Sequence, residues 1–350
     1  ILETVTSPKM GSTYGEWSVM DLLRGMYSGY DYINYIPKDY FTEYVKGIEG
    51  YVRGKQGELD RNKSTEWSRL ILSLTALGYD ITKVADKPGV YLKTYSKDNT
   101  SIINARQIEE NHTVHINEVV KIYKSDKKYI DIPAGVYAVD VTENTITDGN
   151  GTVYSLNKEQ IMKIEEGYDF IEKFSKSYKF SYRQGINGPI WEIIALNTGG
   201  YKLYEEEGNN DANTVGKMLG YILSKEITQT DGTVGGWALS GKKPDPDVTG
   251  MALQAMAPYY LDQSKFEAEE VILNDKKYTY EEFAQAVERG IYVLSLMQQQ
   301  NGGFDSWGTV NGESIKQGLV ALTEVGIDHV EESIQLKSID KTIDFVTDGK

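Results

Sequence analysis

A short apolar block recurs along this chain, and that recurrence limits the available folds more than any other feature. It runs over residues 16–23, 66–74, 188–196, 247–256 and 313–322. Each block is about three helical turns long and stops near Gly or Pro, as a short helix with a defined end does. Each is apolar around most of its circumference, which marks a helix buried on nearly every side. Longer amphipathic stretches lie between them, at 40–52, 157–178, 213–225, 280–299 and 330–345. Buried and half-wet helices therefore alternate. The expected fold is all-α dominant: an α/α toroid, in which about six helical hairpins close into a double-layered barrel.

One interval is twice the usual length, between Trp67 and Trp191. Inside it, residues 114–123, 129–132, 136–141 and 152–156 alternate and are rich in Val, Ile and Tyr, and Asp148-Gly149-Asn150-Gly151 is a turn signal. A small antiparallel β subdomain is expected at 105–156, inserted into a toroid made of 1–104 and 157–350. A second short hairpin is expected at 271–278, turning at Asn274-Asp275.

Composition removes several function classes. The chain has no Cys and three His, namely His112, His115 and His329. A thiol nucleophile, a disulfide and a thiolate metal site are excluded, and no metal or other cofactor is expected. The net charge of −15 over 350 residues argues against nucleic acid or an anionic membrane as partner. No apolar run is long enough for a transmembrane segment. Residues 1–10 lack the pattern of a signal peptide, so a mature or trimmed chain is expected.

The candidate site residues are acids and aromatics. Glu16, Glu66, Glu192 and Glu313 stand near the starts of buried-type helices. In a closed ring those starts gather at one rim, where the acids either meet a ligand or stabilise helix N-termini. Glu66 and Glu192 would suit inverting glycoside hydrolysis at a separation of about 6.5–9.5 Å. Asp245 and Asp247 open a helix, as caps or as a pair aimed into a confined space. Trp17, Trp67, Trp191, Trp237 and Trp307 either fill seams between hairpins or line a pocket mouth. Tyrosines are numerous, 26 in all, with Tyr27, Tyr30, Tyr32 and Tyr35 clustered after the first block.

The loops from Gln229 to Trp237 and from Gln298 to Trp307 resemble those of the prenyltransferase and squalene-cyclase repeat superfamily. Gly188-Pro189-Ile190-Trp191, Gly235-Gly236-Trp237-Ala238-Leu239 and Gly302-Gly303-Phe304-Asp305-Ser306-Trp307-Gly308 make the chain similar to exported bacterial proteins of that kind, and to the helical domain of the transcobalamin and intrinsic-factor group. The resemblance implies a secreted or cell-surface domain, set among other domains of a larger surface protein. It would bind a small molecule or peptide-like ligand at the mouth of the toroid without catalysis. It also implies alternatives. Asp245-Pro246-Asp247-Val248-Thr249 is similar to the Asp-x-Asp-Asp-Thr run of class II terpene cyclases, which would make Asp247 a proton donor, with Val248 in place of the last acid. Hydrolase chemistry, an adhesive or structural surface module and cobalamin binding complete the set. Zinc-dependent prenyl transfer and a thioester are excluded by the missing Cys.

Overall fold

The computed structural model describes residues 2–11, 15–31, 33–124, 128–306, 308–328 and 333–345. The chain divides into two units, Ile1–Arg61 with Arg69–Phe170 and Asn62–Ser68 with Ile171–Lys350.

The first unit begins with α1 (Gly15–Tyr27) and α2 (Tyr40–Gly54), followed by most of α3 (Ser64–Ala76). In α2, Tyr44, Val45, Ile48 and Val52 recur at helical spacing and are buried. The helix closes on itself: Gly57 N–H donates to Val52 O and Gln56 N–H to Arg53 O. This wrap satisfies the last carbonyls and places Gln56 and Gly57 in the left-handed region. Among the described residues nine strands follow: β1 (Gly89–Ser96), β2 (Ile103–Ile108), β3 (Thr113–Ile116), β4 (Val120–Lys124), β5 (Lys128–Ile132), β6 (Gly135–Asp140), β7 (Thr145–Thr147), β8 (Val153–Ser155) and β9 (Ile161–Ile164). All pairings are antiparallel. One sheet runs β2-β1-β4-β5, with β9 also on β1; the other runs β3-β6-β7-β8. Register pairs Tyr91 with Gln107 and Met162, and Val114 with Tyr137. Both sheets feed one core, containing Leu92, Ile108, Val114, Ile122, Ile132, Val139 and Ile146.

Helix α2 lies directly on β2 because its contact face is glycine. A Cβ on Gly50 would stand 2.0 Å from Asn104 Oδ1, and one on Gly54 2.6 Å from Ile103 Cγ2. Gly57 has φ +73°, and a Cβ there would meet the Tyr168 ring at 2.2 Å. Gly57→Ala is therefore expected to cost about 2–3 kcal/mol, combining left-handed strain with overpacking. Urea denaturation checks it; a loss below about 0.5 kcal/mol would mean the ring moves aside freely.

The second unit contains α4 (Phe170–Lys176, from Ile171), α5 (Tyr178–Ser181), α6 (Asn187–Gly199), α7 (Val215–Ser224), α8 (Pro246–Leu261), α9 (Gln263–Ala268), the hairpin β10 (Ile272–Leu273) and β11 (Lys276–Lys277), α10 (Tyr280–Met297), β12 (Asp305–Ser306), β13 (Thr309–Val310), α11 (Gly312–Glu324), β14 (Ile334–Leu336) and β15 (Lys341–Ile343). Helix α8 packs against α6, α10 and α11. That explains its sequence: Val248, Ala252, Leu253, Ala255 and Met256 are buried, and the face that keeps some exposure, through Asp247, Met251, Gln254, Pro258 and Leu261, is itself mostly apolar. The β10–β11 turn is at Asn274 and Asp275, both with positive φ, as a tight hairpin requires.

The all-α toroid is not the fold. The chain is mixed α/β, with 41% helix and 19% strand and open, uncurled sheets. The five apolar blocks do form helices, but a ring also needs an outer helix laid on each inner one. Residues 157–178 instead form a short 3₁₀ turn, β9 and the brief α4, while 333–345 form the β14–β15 hairpin. Residues 330–332 of that expected helix lie outside the described residues, and α2 packs on a sheet strand. Strands also extend beyond 105–156, from Gly89 to Ile164. Among the described residues, no helix is long and apolar enough to cross a membrane.

Candidate functional site

The two Gly-rich loops share one construction. In the first, Gln229 N–H donates to Thr233 O, Gly232 N–H to Gln229 O, and Thr233 N–H to Asp231 Oδ1. In the second, the same bonds join Gln299 to Gly303, Gly302 to Gln299, and Gly303 to Asn301 Oδ1. Asp231 and Asn301 thus do the same work, each folding its side chain onto the backbone two residues on.

The first loop delivers Trp237 to the interior, where it is fully buried. Its Nε1–H donates to Ile222 O at 2.8 Å, and its backbone N–H donates to Thr249 Oγ1 at 3.0 Å. Gly290 of α10 makes room for the ring, since a Cβ there would lie 2.7 Å from it. Trp237 therefore ties α7, α8 and α10 together and lines no pocket mouth. Trp307, its counterpart in the second loop, lies outside the described residues.

Asp245 caps α8. One carboxylate oxygen accepts from Val248 N–H at 3.0 Å and the other from Ser306 Oγ–H at 2.7 Å. Capping an N-terminus and pinning the second loop uses both oxygens. Asp247 is half-buried in the first turn of α8, and its Oδ1 is buried without a hydrogen-bond partner.

The predicted rim acids have different surroundings. In the first unit, Glu16 is buried and accepts from Gly11 N–H at 2.7 Å, with Arg69 Nη1 3.9 Å away. Burial first, then the Glu16 charge, pushes the neighbouring Tyr44 hydroxyl up. Glu313 is exposed and pairs with Lys316 at 3.4 Å. Glu66 is half-buried near the start of α3. Of the tryptophans, Trp17 and Trp191 are half-buried. Trp67 is buried edge-on to Phe180 at 6.5 Å, with Lys173 Nζ 5.6 Å from its ring.

Glu192 has the strongest electrostatic environment of the predicted set. It sits in α6 with no solvent exposure. Ser181 Oγ–H donates to its Oε2 at 2.5 Å, and Asn213 Nδ2–H at 3.1 Å. Asn213 also donates to Ser181 Oγ at 2.9 Å, closing a three-member network. Ser64 Oγ faces the same carboxyl without meeting hydrogen-bond geometry. Burial pushes the carboxyl up to about 8, against the opposing pull of Ser181, Ser64 and Asn213. At neutral pH it is mostly a neutral acid, the form that low-dielectric surroundings favour. Its Oε1 and Asn213 Oδ1 have no hydrogen-bond partner. This sealed network holds α5 and α6 and the approach to α7 together.

Among the described residues no group of three or more His, Asp or Glu side chains is placed to hold a metal ion. Sequence reasoning named Tyr27, Tyr30, Tyr32 and Tyr35 as a cluster but not as exposed surface, and Tyr32 lies outside the described residues. The structure leaves Tyr27, Tyr30 and Tyr35 largely open to solvent, together with Ile33.

Comparison with family models, with curated proteins and with solved structures returns no match for this chain. With the toroid replaced by a mixed α/β fold, neither sequence nor structure supports membership among prenyltransferase-type repeat proteins or the transcobalamin group.

Proposed function

We propose that this chain is a non-enzymatic binding domain that engages a protein partner through residues 27–31 and 33–36 of its first unit. One observation carries the reading: Tyr27, Tyr30, Ile33 and Tyr35 are 76%, 68%, 57% and 77% exposed within one short segment. Tyrosine supplies a large amphipathic contact area with few rotatable bonds, and such residues dominate binding energy at interfaces. The segment is held in shape. Helix α1 closes with Tyr30 N–H on Gly25 O and Gly29 N–H on Met26 O, Tyr27 Oη–H reaches Ala76 O at 3.1 Å, and Ile36 N–H donates to Ile33 O. A pre-shaped surface pays less ordering entropy on binding. The net charge of −15 favours a partner with a basic face.

The predicted acids support this direction. Asp245 is occupied as a cap and Glu192 is sealed, so neither is presented to a substrate. An exported or cell-surface setting belongs to the same proposal, and fractionation of the producing cells tests it.

A photo-crosslinking residue placed at Tyr35 is expected to trap a discrete partner protein in the producing cells. The same residue at Val153, also exposed and in the first unit, is expected to trap none. Tyr27→Ala with Tyr35→Ala is expected to weaken binding of that partner about 10- to 100-fold. Equal trapping at both positions would remove the reading.

A further inference from the structure

The first unit carries a second feature that involves none of the tyrosine-segment residues. The end of α2, the chain leaving it, and strands β1 and β2 enclose an open cleft of about 580 Å³. Its lining includes Lys55, Gln56, Glu58, Asp60, Arg61 and Lys93. That volume is in the range of small-molecule sites.

Lys93 is the unusual member. It projects from β1 half-buried, and among the described residues its Nζ makes no hydrogen bond or ion pair. Partial desolvation lowers its ammonium from the ordinary lysine range; Lys55 adds to this and Glu159 opposes it. An ammonium that has lost part of its water shell and gained no fixed counter-ion favours an incoming anion. A helix C-terminus beside the cleft would normally favour cations instead. Here Tyr51, Val52 and Arg53 carbonyls already accept from Lys55, Gly57 and Gln56, so that end is largely neutralised. Gln56 keeps a side chain in the cleft although its φ of +51° is one that glycine adopts more cheaply.

We propose that this cleft binds a small oxyanion-bearing molecule, with the anion held against Lys93 and Lys55. Glu58, Asp60 and Arg61 share the lining and are engaged in interactions of their own, so the anion's contacts are assigned to Lys93 and Lys55. A sugar acid supplies such an anion as a carboxylate and a simple phosphate supplies it as a phosphoryl group.

The test titrates the full chain, in separate arms, with D-glucuronate and with inorganic phosphate, followed by calorimetry. Saturable binding of either is expected; glucuronate alone identifies a carboxylate ligand and phosphate a phosphoryl one. Lys93→Gln is expected to weaken it about tenfold or more, and Lys93→Arg to retain most of it. Lysine acetylation of the unmutated chain gives a readout independent of folding: the bound probe is expected to slow modification of Lys93 about fivefold or more, with exposed Lys46 unchanged. No saturable binding of either probe, equal affinity in Lys93→Gln, or unchanged acetylation of Lys93 would overturn the proposal.

Discussion

Trp237→Ala is expected to cost the second unit about 4 kcal/mol, enough to unfold it or leave it marginal. Deleting a fully buried aromatic side chain typically costs about 3–5 kcal/mol through lost transfer energy and residual cavity. Here the deletion also removes the Nε1–H bond to Ile222 O, which keeps the N–H of Lys225. The cavity would open where α7, α8 and α10 meet, and Gly290 has no side chain with which to fill it. Trp237→Phe separates the terms. It keeps most of the ring and loses the donor, so about 1–2 kcal/mol is expected. Urea denaturation followed by hydrogen exchange over α7 and α10 reads both. A cost below about 1 kcal/mol for the alanine variant would show that the loop is peripheral.

The second large effect is a pH dependence from Glu192. Its carboxyl is pushed up to about 8 in the folded chain, against a reference value of 4.5. Between those values the folded chain keeps a proton that the unfolded chain has released. Stability therefore falls as pH rises from about 4.5 to about 8 and is level above that. The upper bound is roughly 4–5 kcal/mol across the window, before water entry and relaxation reduce it. Glu192→Gln removes the titration while keeping an acceptor for Ser181 and Asn213. Its stability relative to the unmutated chain is expected to improve from pH 5 to about pH 8 and to level off by pH 9. Parallel stability curves for the two proteins over that range would show that Glu192 is not the titrating group.

The helices were legible because burial on most sides leaves a direct mark. Ala252, Leu253, Ala255 and Met256 leave no polar stripe, and the structure surrounds α8 with three helices. The twin turns were legible for an equally local reason: Asp231-Gly232-Thr233 and Asn301-Gly302-Gly303 hold all the chemistry needed for the turn. What covers each helix was not legible. An apolar circumference demands neighbours without saying whether they are helices or sheets. The run Ile161-Met162-Lys163-Ile164 also fits a helical period, and only its pairing with β1 makes it a strand.

The site followed the same division. Glu192 was identifiable as an acid near a helix start, but its sealing depends on Ser181 and Asn213, which arrive from 11 and 21 residues away. Lys93 carried no signal of its own. The cleft exists only once β1 lies beside residues 54–61.

The pairing of β9 with β1 has a consequence for the chain as it is made. Leu92 cannot meet Ile161 until the ribosome has released the whole intervening stretch, including both sheets' other strands. Until then one flank of β1, with Tyr91 and Leu92, is an unpaired edge of apolar character. Completion of the first unit thus falls late in its own synthesis, and non-local closure of this kind is slow. A ribosome stalled before β9 emerges should display a protease-sensitive nascent chain that a chaperone of nascent chains recognises, and release of the next few residues should end both at once.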